Sequence, residues 1–435
     1  MRHVRARAPK GSLRRDRENE RGVTLLIVTV GMVSLLTMTV LALDVVSLYL
    51  AKDQAQQDAD AAALAGAQAL VLSGTTSAPS LLPRISVCNG SSGDADLWAQ
   101  AVAANNQIAG FPPTTVTTQC PSSAPDHNPQ IQVTVTRTGL PTFFARILGA
   151  SAGTVRSTAT AEAYNPSFDP TNPTTPPISI QGVKPWLVFN CNTCANPAFF
   201  TSTYAIANGG SFIGQPWTFT LIDASTPTAP NTSPPSSTAQ FYAIDPPAPL
   251  ACPSNGAISC NQVGTGPPGI FYHDNIACTG SFKFTNGQFI GPGQPIQVDT
   301  RSAGSLQNRT MKGTTCLIHA ASSGTAQGQD SFTTGLPPTI TGGFNNPDPA
   351  LKSVSGIHRS DSIVTVPVFN CPLAPPCDNT QDLPIVGFLQ LGIQDVTATG
   401  DIDAVILNAA GADPASTPPP VTGSGKSPIP VRLIQ

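Results

Sequence analysis

Residues 22–72 read GVTLLIVTVGMVSLLTMTVLALDVVSLYLAKDQAQQDADAAALAGAQALVL, and the placement of the whole chain follows from this stretch. From Val23 to Leu43 no residue carries a charge. As an α-helix that run extends about 32 Å, matching the hydrocarbon core of a bilayer. Thr24, Thr29, Ser34, Thr37 and Thr39 add hydroxyls, which can bond to carbonyls of their own helix and so do not forbid insertion. The run is longer than the roughly 7–15 apolar residues of a cleaved signal peptide, and Val40-Leu41-Ala42 is a poor small-x-small site. An uncleaved anchor is expected.

On its N-terminal side, residues 1–21 hold eight basic residues (Arg2, Arg5, Arg7, Lys10, Arg14, Arg15, Arg17 and Arg21) against three acids. The tail is therefore +5 and the remainder −8, within a net charge of −3. A basic tail alone also suits nucleic acid, but one that abuts an apolar span reads as a topology signal, so no nucleic-acid partner is expected. The positive-inside rule keeps this tail cytoplasmic and sends the chain after Asp44 across the membrane. Arg21, Gly22 and Asp44 mark the boundaries.

Past the span, Val45 to Leu72 contains no proline, is rich in Ala, Leu and Gln, and stops before Ser73-Gly74. A helical rod of roughly 50 residues follows. Within it Ala55, Ala59, Ala62, Gly66 and Ala69 draw one stripe of small residues, with Asp53, Asp58 and Asp60 mostly away from it. The stripe permits close packing, either within the chain or against a partner helix.

The combination of Arg21-Gly22, the apolar span, Leu43-Asp44-Val45, Leu48-Tyr49-Leu50-Ala51 and the string DADAAALAGA from Asp58 resembles the N-terminal signature of TadG-like (TadE/TadG type) Flp pilus-assembly proteins. The resemblance extends to about Ala163 and implies a pseudopilin-like layout, a long helix followed by a small strand-rich layer. Trp98 to Asn106 and Pro141 to Leu148 read as short helices, and Ile131, Val133 and Val135 as one face of a strand. Val155, Ser157, Ala159, Ala161 and Ala163 share a second strand face. Type IV-like prepilins are cut after a Gly and usually carry Glu five residues on, where Gly22 is here followed by Ile27. A fixed envelope role is therefore expected over processing and incorporation as a pilin.

The remaining chain is poor in charge, at 11% of residues overall, and rich in turn formers, with 44 Pro and 37 Gly. That composition favours short strands and loops, while 40% hydrophobic residues suffice for cores. The expected fold class is α+β, with a long N-terminal transmembrane helix, a small pseudopilin-like α+β region and a C-terminal β-rich, disulfide-containing domain. Its expected divisions are a basic cytoplasmic tail (1–21), a transmembrane anchor (22–44), a helix extension (45–73), a small α+β domain (74–164), a Pro-rich linker (165–177) and a β-rich extracytoplasmic domain (178–435). Thr226 to Pro249 and Asp413 to Pro430 read as exposed Pro-rich loops. Val188-Phe189-Asn190-Cys191 recurs as Val368-Phe369-Asn370-Cys371, either a duplicated β unit or two strand ends closed by disulfides.

All ten cysteines, Cys88, Cys120, Cys191, Cys194, Cys252, Cys260, Cys278, Cys316, Cys371 and Cys377, follow the span. An even number in an exported region implies disulfides. Neighbour pairing would join 88 with 120, 191 with 194, 252 with 260, 278 with 316 and 371 with 377, though sequence leaves connectivity open. Cys191-Asn192-Thr193-Cys194 has no second CxxC or nearby histidine to complete a metal set, and no basic helix to activate a thiol.

No enzymatic activity, metal or cofactor is expected. His3, His127, His273, His319 and His358 stand singly, and no nucleophile elbow, Walker loop or dinucleotide fingerprint is present. His273-Asp274 reads as a surface turn. Asp223-Ala224-Ser225-Thr226-Pro227 falls short of a von Willebrand A metal string, because Pro227 has no hydroxyl to offer. Asp395, Asp401 and Asp403 read as solvated loop acids. These features point to a non-enzymatic, membrane-anchored protein of the bacterial inner membrane that takes part in Flp pilus assembly or anchoring. The second reading is an envelope adhesion or ligand-binding module. Expected partners are the lipid bilayer and pilus-assembly or envelope proteins; the oligomeric state is not legible.

Overall fold

The computed structural model describes residues 13–142, 152–168, 172, 174–190, 199–247, 271–321, 328–371, 377–413, 415–423 and 426–434, with side chains from residue 22 onward and not that of Phe168. The helix expected over 141–148 lies almost wholly outside these residues.

The apolar span and the alanine-rich extension form one helix, α1 (Leu13–Leu72, 60 residues). No proline interrupts it, and it ends where Gly74 takes a φ of +82°, a conformation glycine adopts without a Cβ penalty. Two further helices follow, α2 (Arg84–Val87) and α3 (Asp94–Asn105), then strands β1 (Thr115–Gln119), β2 (Gln130–Leu140) and β3 (Gly153–Ala163). With β16 (Val431–Ile434) they make a four-stranded sheet in the order β1-β2-β3-β16. Period-two alternation decides its faces. Ile131, Val133 and Val135 are wholly buried, and on β3 Val155, Ser157, Ala159, Ala161 and Ala163 all point inward.

The chain divides into two compact units, the first made of 1–59, 103–116 and 134–158, the second of 60–102, 117–133 and 159–435. In the first, the Gln54 side chain accepts the Ala109 N–H at 2.8 Å, and Lys52 Nζ donates to Ser157 Oγ at 3.0 Å. Asp58 does not face solvent. It is 2% exposed, and Asn106 Nδ2 donates to its Oδ1 at 2.9 Å, a partner that lets a carboxylate sit inside a helix contact.

In the second unit a β-barrel dominates. Its strands are β5 (Trp186–Asn190), β6 (Pro216–Leu221), β7 (Thr238–Ala243), β12 (Ile363–Asn370), β13 (Leu383–Val396) and β14 (Ile402–Gly411). They pair in the order β12-β5-β7-β6-β14-β13, and β13 pairs back onto β12, closing the ring. Closure removes the exposed edges that a sheet so rich in Val and Ile would otherwise present. The neighbours β5/β12 and β6/β7 run parallel; the other pairs in the ring are antiparallel. The recurring Val-Phe-Asn elements are these parallel neighbours, with Val188 opposite Val368, Phe189 opposite Phe369 and Asn190 opposite Asn370. Asn190 Nδ2 donates to Asn370 Oδ1 at 2.8 Å and to the Phe200 carbonyl at 3.0 Å, and its Oδ1 accepts the Phe200 N–H at 3.0 Å, so this buried amide is fully met.

Inside and against the ring lie Trp186, Phe219, Phe241, Val366, Val368, Leu389, Leu391 and Ile406. Helices α4 (Phe271–Ala277) and α5 (Ala303–Leu317) add Tyr272, Ile276 and Leu306 to the same core. A Cβ on Gly313 would lie 2.9 Å from that of Ile276, so only glycine allows α5 this close to α4. Around the ring sit a small sheet of β4 (Ile178–Gln181), β8 (Lys283–Thr285) and β15 (Val421–Gly423), the short strand β9 (Phe289–Ile290) on the end of β13, and a hairpin of β10 (Ser331–Phe332) and β11 (Ile340–Thr341).

Four local readings are corrected. Thr226–Pro249 is not wholly a loop, because Thr238–Ala243 inside it is the barrel strand β7; the prolines lie at its flanks, where they cost no ladder bond. Asp413–Pro430 likewise contains β15. His273-Asp274 is not a surface turn but part of α4, 6% and 7% exposed, drawn inward by Tyr272 and Ile276 on either side. Asp395 and Asp403 are not loop acids: they sit directly opposite one another on β13 and β14.

Gly66 carries a prediction. A Cβ there would meet Ile131 Cδ1 at 2.6 Å and the Ala95 carbonyl oxygen at 3.0 Å. Gly66→Val should lower stability by about 1–3 kcal/mol through overpacking, read as a drop in denaturant midpoint of the detergent-solubilised chain. An unchanged midpoint would show that this contact is loose.

Candidate functional site

Across the span, side chains face outward: Leu25 is 72% exposed, Leu35 67% and Met38 70%. Thr29, Thr37 and Thr39 each donate to the carbonyl four residues back, at 2.7, 2.8 and 2.9 Å, so the hydroxyls are satisfied within the helix. Continuous apolar exposure on this scale marks a surface meant for lipid or protein. Among the described residues one helix is long and apolar enough to cross a membrane, with mean hydropathy 2.4 and none of its apolar window buried. Of the boundary residues, Gly22 is open on all sides and Asp44 is 2% exposed; the side chain of Arg21 lies outside those described.

The small-residue stripe is buried throughout. Ala55 and Ala59 are enclosed in the first unit; Ala62, Gly66 and Ala69 in the second.

Beyond α1 the segment Ser73–Ala78 is bound to the barrel strand β14 by side chains the sequence did not single out. Asn408 is completely buried. Its Nδ2 donates to the Val71 carbonyl and to Gln390 Oε1, both at 2.7 Å. Its Oδ1 accepts from Thr76 Oγ1 at 3.2 Å and Ser77 Oγ at 3.0 Å. Ser77 Oγ also lies 3.0 Å from the Ala409 carbonyl, so its single proton is shared between that oxygen and Asn408 Oδ1, and it accepts the Ala409 N–H at 3.0 Å. Asn165 Nδ2 bridges the carbonyls of Thr76 and Ala409 at 3.2 and 3.0 Å, and Ser167 Oγ accepts the Gly411 N–H at 2.6 Å. The last turn of α1 is thus joined to the barrel through a dry, mutually satisfied amide and hydroxyl network, which holds position more firmly than apolar contact alone. The signal for it was an isolated Asn inside the apolar run Val405-Ile406-Leu407-Asn408-Ala409-Ala410.

Disulfides join Cys88 to Cys120 and Cys371 to Cys377, and Cys278 and Cys316 are also disulfide-bonded. Cys191, Cys194, Cys252 and Cys260 lie outside the described residues. Cys88, Asp96 and Cys120 come close enough to suggest a metal set, but the two sulfurs are bonded to each other and offer no thiolate. The Asp96 carboxylate instead accepts the backbone N–H groups of Asn89, Gly90 and Gly93 at 2.8, 3.0 and 3.2 Å, fixing the loop before α3.

Two buried or half-buried ionic groups, Lys184 and Asp361, stand out among the described residues. Lys184 is fully buried, and its Nζ donates to the carbonyls of Ile276 and Cys278 at 2.7 Å, capping the end of α4. Burial pulls its ammonium down to about 7, and its donors are spent on backbone carbonyls. Asp361 accepts from His319 Nε2 at 3.1 Å and Lys426 Nζ at 2.7 Å, and the His319 bond leads in holding its carboxyl far below the usual range. A depressed carboxyl stabilises the fold above its unfolded value, near pH 4, and loses that contribution as pH falls through and below it. Asp361→Asn should therefore cost stability at neutral pH, with the gap from wild type narrowing below about pH 4. Equal gaps in denaturant midpoint at pH 7 and pH 3 would refute the pairing.

Two features define a class, a long helix that contains a candidate membrane span and, further along the chain, a β-barrel. Residues 22–69 match the model of a family described as putative Flp pilus-assembly TadE/G-like, which covers the span and its helical continuation. No curated protein and no solved structure matches the chain.

Proposed function

We propose that the chain is a non-enzymatic, single-pass inner-membrane protein that takes part in assembling or anchoring Flp (tight-adherence) pili, with residues 1–21 cytoplasmic and the barrel outside. The family match over 22–69 carries this reading, because it falls on the span and the stripe-bearing helix rather than on a generic apolar segment. Orientation rests on the basic residues before Val23, and the disulfides suit an oxidising compartment beyond the membrane. Burial of the small-residue stripe within the chain favours a fixed fold over a helix held in reserve for a partner.

Deleting the gene should abolish or sharply reduce surface pili and adhesion, with recovery on re-expression. Normal piliation in the deletion strain would discard the assembly role and leave the second reading, an envelope adhesion or ligand-binding module.

A further inference from the structure

At one end of the barrel, where β6, β7, β13 and β14 meet, lies an open cleft of about 570 Å³. Its lining includes Trp217, Thr218, Ser236, Gln394, Asp395 and Asp403. Among the described lining residues none is Lys, Arg or His, so a phosphate, a nucleic acid or an acidic peptide would meet only like charge. A lipid tail would meet carboxylates and amides. A multivalent metal is poorly served too, since these acids do not gather three ligand oxygens at one point.

The polar groups are held in place before any ligand arrives. Thr218 Oγ1 donates to Asp403 Oδ1 at 2.6 Å, Gln329 Nε2 to the Gln394 carbonyl at 2.9 Å and Gln394 Nε2 to the Phe332 carbonyl at 2.6 Å. Asp330 is fixed by the Gly343 N–H at 2.7 Å and Asn346 Nδ2 at 3.0 Å. Trp217 is half-buried, its ring 5.1 Å from that of Phe199, which leaves part of the indole toward the cleft. Oriented carboxylates and amides beside an aromatic surface suit a ligand that carries many hydroxyl donors around an apolar ring face. A preformed site of this kind loses little entropy on binding.

We propose that this cleft binds a short stretch of glycan. The inference uses the extracytoplasmic placement of the barrel only to say that such chains are within reach; it does not depend on pilus assembly.

The full chain in a sugar-free zwitterionic detergent is titrated with two probes, a tetramer of β-1,4-linked N-acetylglucosamine and a tetramer of α-1,4-linked glucose, and followed by calorimetry. Saturable binding of at least one is expected. Ser236→Trp, which fills the cleft from an exposed position, and Asp403→Asn should each weaken it by about tenfold or more while Cys88–Cys120 still forms. Absence of binding by both probes, binding untouched by both variants, or binding of a lysine-rich tetrapeptide in place of the sugars would overturn the proposal. Piliation of the deletion strain is scored separately, so failure here and failure of the pilus role are told apart.

Discussion

Replacing Asn408 with leucine should lower the unfolding free energy by about 3–5 kcal/mol, the largest loss expected from a single side chain in this molecule. The substitution is close in volume, so the cost does not come from a void. It comes from Gln390 Oε1 and the Thr76 hydroxyl, left in a dry interior without the partner they have in Asn408, and from one bond lost at the Val71 carbonyl and one at the Ser77 hydroxyl, which keep the Gly74 N–H and the Ala409 backbone. Each orphaned group costs about 1–3 kcal/mol, with some recovered by local rearrangement. The effect should also be directional. Amide hydrogen exchange should rise in Ser73–Ala78, along β14 and around Gln390 of β13 while the β5–β7 pairing stays protected, because only the first three share the network. A change below about 1 kcal/mol, or uniform loss of protection, would show that the junction is held by apolar packing alone.

Removing the Cys88–Cys120 disulfide with paired alanines should cost about 3–4 kcal/mol, the loop-closure entropy of a bridge that spans 32 residues. The bridge ties the turn after α2 to the end of β1, and the loop between Cys88 and α3 is already pinned by the Asp96 carboxylate. The loss should therefore appear as easier global unfolding rather than as a loosened loop. Reductant should lower the wild-type midpoint by at least as much, since it also opens Cys371–Cys377 and the bridges of Cys278 and Cys316, and should lower the double variant by a correspondingly smaller amount. Equal denaturant midpoints for the two proteins would contradict the assignment of a stabilising role to this bridge.

The parts of the molecule that were open to sequence reading share a physical cause. The helix from the span to Leu72 is written in an uncharged run, an alanine-rich extension without proline and a stop at Ser73-Gly74, all of which act locally. Ile131, Val133 and Val135 were legible because a strand with one buried face must alternate. Barrel closure was not, because it depends on β12 pairing with β5 and β14 pairing with β6 across long stretches of chain, and no local pattern encodes a ring. Strand β7 was hidden by its flanking prolines: Thr-Ala-Gln-Phe-Tyr-Ala is good strand sequence, but Pro235 and Pro246 made the whole stretch look like loop. Asp395 was read as solvated because acids usually are, and it is buried on β13, where the Val396 N–H meets its carboxylate.

The proposed function places the anchor at Val23–Leu43, the tail inside and everything after Asp44 outside. Protease treatment of intact spheroplasts, followed by intact-mass analysis of the membrane fraction, tests it most directly. The expected result is loss of the barrel and survival of a membrane-protected fragment that still carries the basic tail and the span. A full-length chain resistant until the cells are lysed, or a mature N-terminus at Val23 or Asp44, would contradict it.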